Sequence, residues 1–135
     1  MTKELPPGKL PSAGGATLDP ENWDATRDQA HRMLDDMLDY IAQIRERPVW
    51  TPLPGNIRGH FHADLPHAPM ALNAVHREFL DFILPYSGGN VHPGFMGWVQ
   101  GGGTVTGMLA EMLAGGLNPN VGGRNQAPVE VERQI

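Results

Sequence analysis

At 135 residues the chain has room for one modest domain or for part of a larger one. A formal net charge of −5 leaves no basic stripe to neutralise phosphates, which excludes a general nucleic-acid binder. With no cysteine there is neither a disulfide framework nor a thiolate metal site, and no apolar run is long enough to cross a membrane.

Residues 1–18 are rich in Pro, Gly and Ser/Thr, have little to bury, and read as a flexible tail. This stretch has no apolar segment of the kind found in a secretory signal, so a cytoplasmic protein is expected. Asp19-Pro20-Glu21 reads as a helix start: Asp caps free amides, Pro suits the first turn, and Glu complements the positive end of the dipole. The helix that follows carries an apolar stripe of Ala30, Leu34, Met37, Ile41 and Ile44, widened by Met33 and Leu38. Arg32, Asp35, Asp36, Asp39, Gln43 and Glu46 occupy the opposite face. Arg45 and Arg47 suit the last turn, and Pro48 stops the helix.

Residues 49–69 hold Pro52, Pro54, Pro66 and Pro69 without a sustained period, and predict an extended connector. A second helix is expected over 70–84, with Leu72, Val75, Phe79, Phe82 and Ile83 apolar, ended by Pro85 and the Ser87-Gly88-Gly89-Asn90 run. In 91–105 apolar and aromatic residues alternate with glycine, which places side chains on a backbone that is itself approached closely. A third helix is expected over 104–114, ended by Gly115-Gly116. Residues 128–135 read as the first turns of a further helix, too short to be stable alone, so the chain reads as truncated. Helices joined by long irregular connections imply a mostly α chain that leans on something outside itself.

Three groups carry candidate chemistry. His60, His62, Asp64 and His67 are close in sequence as metal ligands would be, but their spacing matches no closed zinc pattern, and in a Pro-rich connector they read as surface or hydrogen-bonding groups rather than a metal site. Gly101-Gly102-Gly103 before a helix could cradle an anion on free amides, or simply form a tight helix start; no lysine follows as a P-loop requires. Trp98 with Phe95 and Met96 forms either core or a pocket wall.

Four segments carry a resemblance to a known family: Met37-Leu38-Asp39-Tyr40-Ile41, His92-Pro93-Gly94-Phe95-Met96-Gly97-Trp98, Met108-Leu109-Ala110-Glu111-Met112-Leu113, and Ala127-Pro128-Val129-Glu130-Val131-Glu132. In order and spacing they resemble the N-terminal region of the group II pyridoxal-phosphate-dependent amino-acid decarboxylases, over roughly the last hundred residues. The resemblance implies the N-terminal segment of an aspartate-aminotransferase-type (fold type I) α/β enzyme. Residues 19–90 would then be a helical extension that packs across a homodimer. Residues 91–135 would be an active-site entrance loop and the start of the large domain. It further implies an amino-acid substrate contacted at Asn90, Trp98, Val99, Gln100 and Gly101. Where aromatic-amino-acid decarboxylases carry an aromatic-aromatic-Pro-Thr run, this chain has Trp98-Val99-Gln100-Gly101, so the resemblance carries a pocket and not an aromatic substrate.

The family's pyridoxal 5′-phosphate is bound through an internal lysine. Lys3 and Lys9 are the only lysines here, both in the tail, so the chain by itself is expected to be inactive. A small self-associating helical module, using the stripes at 30–44 and 72–83, is the reading from a different class.

Overall fold

The computed structural model describes residues 17–99, 101–122 and 125–134. Five α-helices run through them: α1 (Trp23–Ala42), α2 (Gly55–His60), α3 (Leu72–Glu78), α4 (Val105–Leu117) and α5 (Ala127–Glu132). The described residues contain no strand, in line with a mostly α chain with long connectors. The expected tail lies outside the described residues up to position 16.

Helix α1 starts later than the Asp19-Pro20-Glu21 reading places it. Asn22 is the N-cap, its side-chain oxygen accepting from the Ala25 amide at 3.0 Å. Asp19 is engaged elsewhere: its amide donates to the Thr17 hydroxyl at 3.1 Å, and that hydroxyl donates to its carboxylate. At the other end α1 stops at Ala42 and tightens into a 3₁₀ turn over Ile44–Glu46. Arg47 therefore stands beyond the helix, in extended conformation, and does not serve the dipole as expected.

Sequence periodicity missed α2, whose six residues interrupt the proline-rich connector. Two glycines and one half-buried apolar residue, Ile57, give it no readable period. Helix α3 is shorter than the 70–84 expectation because its continuation changes pitch. Phe79–Ile83 is wound as a π-helix and Leu84–Tyr86 as a 3₁₀ turn. Pro85 explains the change, since it lacks an N–H and its ring crowds the carbonyl four residues back. Helix α4 runs through Gly115 and Gly116 rather than ending at them. Asn118 closes it in the left-handed region (φ 39°), its amide donating to the Ala114 carbonyl at 2.8 Å. Asn tolerates that conformation, whereas glycine inside a helix costs only about 1 kcal/mol, which neighbouring residues readily offset.

Helices α1 and α3 pack together, and the contact has a polar centre. Ala30 of the expected stripe is exposed, while its neighbour Gln29 is buried with His76. Leu34, Met37, Ile41 and Ile44 are half-buried only. Val129 is the one buried hydrophobic residue among those described. The accessible surface is 12052 Å², against about 7,000 Å² for a compact monomer of this mass. Among the described residues many large apolar side chains, from Trp23 and Trp50 to Leu117 and Val131, remain exposed.

Candidate functional site

The loop between the α3 continuation and α4 holds the residues expected to form a pocket wall. It is laid down by short-range bonds. The Ser87 hydroxyl donates to the Ile83 carbonyl at 2.9 Å, and the His92 amide donates to the Gly89 carbonyl at 2.8 Å. His92 Nδ1 then accepts from the Gly94 amide at 2.9 Å, so the proton of the neutral ring resides on Nε2. Gly89 is where this loop docks on the segment after α1: a Cβ there would overlap the Val49 carbonyl. At Gly97 a Cβ would meet the Phe95 ring, a side chain that would have to shift. These are the close backbone approaches that the glycine alternation implied.

The expected wall residues divide into two groups. Asn90 is half-buried and its Oδ1 is enclosed without a hydrogen-bond partner. The far end of the loop returns beside it: a Cβ on Gly102 would lie 3.3 Å from the Asn90 carbonyl, and one on Gly103 would lie 3.2 Å from Val91. Gly101, exposed, is one residue from that contact. Trp98 and Val99 instead project outward, Trp98 at 70 % exposure with its ring edge-to-face on Phe95 at 5.6 Å. Gln100 lies outside the described residues. The structure thus brings Asn90 against Gly102, the neighbour of Gly101, and leaves Trp98 and Val99 facing water. The glycine run serves as a helix start, with Thr104 capping α4 by accepting from the Gly107 amide at 3.0 Å.

Among the described residues, no three His, Asp or Glu side chains gather as metal ligands. The histidines weighed as metal ligands lie apart in role: His60 Nε2 meets Glu78 Oε2 at 2.6 Å and stacks on Phe82 at 4.1 Å, while His62, Asp64 and His67 are exposed. His60 therefore fastens α2 onto the π-helical turn.

Sequence reading missed a polar cluster between α1 and α3. Gln29 Nε2 lies 2.9 Å from His76 Nδ1, and His76 Nε2 lies 3.4 Å from Asp36. Arg32 donates to Gln29 Oε1 at 2.7 Å, which turns the amide nitrogen toward the imidazole. Gln29 therefore donates and His76 Nδ1 accepts, leaving an Nε2–H toward the Asp36 carboxylate. Gln29, Arg32 and Asp36 stand at spacings of three and four. That signal was legible, but all three are polar and Arg32 and Asp36 were assigned to the solvated face.

No family model matches the chain, and no solved structure matches it. By sequence it is similar, over about four fifths of its length, to curated tyrosine and tyrosine/DOPA decarboxylases. It is 32% identical over 113 residues to tyrosine/DOPA decarboxylase 3 of Papaver somniferum, a match covering 79% of this chain and 20% of that protein. Tyrosine decarboxylase 4 of Petroselinum crispum is 31% identical over 106 residues (76% of this chain and 20% of that protein). A tyrosine decarboxylase of Papaver somniferum is 26% identical over 118 residues (84% and 22%). The chain spans about a fifth of the length of these curated relatives.

Proposed function

We propose that this chain is the N-terminal part of a pyridoxal-phosphate-dependent amino-acid decarboxylase of fold type I, a carboxy-lyase. Its contribution there is dimer packing and one wall of the substrate pocket, and it is inactive alone. The observation that carries the reading is the relatedness to tyrosine/DOPA decarboxylases along most of the chain. The large accessible surface supports it, because helices this exposed belong against other protein. In this reading residues 19–90 pack across a cytoplasmic homodimer and 91–135 begin the large domain. The α-amino-acid substrate passes Asn90, Trp98, Val99, Gln100 and Gly101. The relatives' names make tyrosine and DOPA the first substrates to test.

When bound, pyridoxal phosphate acts as an electron sink for the carbanion left after loss of CO2. Its covalent attachment needs a lysine, and none stands among the described residues; the only two in the sequence are Lys3 and Lys9. The described residues do not fit the cofactor, and no step through it follows from them. The chain incubated with pyridoxal phosphate and reduced with borohydride is expected to carry no stoichiometric label on either lysine. It is also expected to release no CO2 from tyrosine or DOPA. The transcript downstream of the Ile135 codon is expected to continue into a strand-rich domain with a pocket lysine. A non-coding continuation in all three frames would sink the decarboxylase reading.

The second reading, a self-associating helical module without catalysis, is favoured by the α3 face: Leu72, Val75 and Ile83 are 41 to 46 % exposed. A defined, cofactor-free dimer with cooperative unfolding is its signature in light scattering and denaturation.

A further inference from the structure

Arg47 sits where the end of α1, the segment after it and the docked loop meet. Its guanidinium lies over the Tyr40 ring, 4.8 Å from the centroid, and its Nε is enclosed without a hydrogen-bond partner. Among the described residues the carboxylates that meet a basic side chain lie against Arg27, His60, His76 and Arg133, and none reaches Arg47. Arg47 is part-exposed and keeps its charge at any accessible pH, and its enclosed Nε–H lacks the acceptor such a donor needs.

A cavity of about 40 Å³ adjoins it, lined by Tyr40, Arg47, Thr51, Ser87 and His92 among others. At ~10–15 Å³ for each water-sized occupant, it has room for about three, the scale of a carboxylate group. The lining adds hydroxyl and imidazole donors: Thr51 supplies a hydroxyl, and the His92 ring, whose Nδ1 already accepts from Gly94, donates from Nε2. A guanidinium and a hydroxyl beside so small a space suit a carboxylate in charge and size.

We propose that this cavity is a binding site for a single carboxylate group, held by the Arg47 guanidinium with Thr51 as a supporting donor. The site is independent of the expected substrate wall, since Trp98 and Val99 do not line it. The carboxylate has two sources: a small free carboxylate molecule, or an Asp or Glu side chain of a second copy.

The test uses the full 135-residue chain labelled with ¹⁵N, with the Arg47 Nε–H resonance assigned by its loss in Arg47→Lys. Sodium acetate is titrated at constant ionic strength, with acetamide as the neutral control of equal shape. A saturable shift with acetate and none with acetamide is expected. Thr51→Val, which keeps shape and loses one donor, is expected to weaken acetate by roughly fivefold. If the resonance instead moves with protein concentration before acetate is added, and acetate reverses that shift, the natural occupant is a carboxylate of a second copy. If it is indifferent to protein concentration, the occupant is a free carboxylate. A non-saturating response shared by acetate and acetamide, with no dependence on protein concentration, overturns the site.

Discussion

Gly89 shows how much one hydrogen atom in place of a methyl decides in this chain. The Val49 carbonyl occupies the space a Cβ would need, and the obstacle is backbone, which cannot rotate away. Gly89→Ala is therefore expected to undock the loop from the segment after α1, at a cost on the order of 2–3 kcal/mol. Amide exchange checks this: His92 and Phe95 should lose protection while α1 amides keep theirs. The Gln29–His76 pair makes a second residue-scale test. Both side chains are buried, at 6 % and 7 % exposure, and each satisfies the other. Gln29→Ala leaves a buried imidazole acceptor unpaired and is expected to cost about 1–3 kcal/mol. In a double-mutant cycle with His76→Ala the coupling should exceed about 0.5 kcal/mol, the threshold for residues in one network. Additive effects in denaturant would mean that the contact is incidental.

At the scale of elements, the sequence announced α1, α3 and α4 because each carries an apolar stripe over several turns, and it misplaced their ends. The ends are set by single side chains: Asn22 reaching Ala25, Pro85 forcing a wider turn, Asn118 accepting a left-handed backbone. No periodic pattern encodes such choices. Helix α2 escaped notice because what holds it is tertiary. The His60 ring lies nearly parallel to Phe82, at 17°, and its Nε2 meets Glu78. Of the candidate site, the loop and its need for glycines were legible. The outward stance of Trp98 was not, because alternation does not say which side of a loop is covered. The two parts of the His60 contact can be separated. Both partners of the ion pair are about two fifths exposed, so Glu78→Gln is expected to change stability by less than about 0.5 kcal/mol, and less still in high salt. Phe82→Ala removes the stacked surface and should release α2, seen as lost helical signal and lost protection over residues 57–61. A larger effect from Glu78→Gln than from Phe82→Ala would reverse this ranking.

For the whole molecule, the question is what covers the exposed apolar faces. Leu72, Val75 and Ile83 on the α3 side each retain 41 to 46 % exposure, so covering all three would contribute about 3 kcal/mol per copy, about 6 kcal/mol in a dimer. Association costs about 4–15 kcal/mol in lost freedom before anything is gained, so that face alone makes a weak dimer at best. Helix α4 has more to offer: Met112, Leu113 and Leu117 are 55 to 72 % exposed, and no residue of the helix is buried. A self-associating module must therefore use both faces, whereas a segment of a larger enzyme divides them between its own remainder and the partner subunit. Val75→Glu and Leu113→Glu separate these cases in light scattering of the chain. If each substitution alone reduces a dimer to monomers, both faces lie in one self-contact and the module reading gains. The decarboxylase reading predicts a different result: weak, open-ended association that either substitution lowers only in part, because neither face meets the surface it was shaped against.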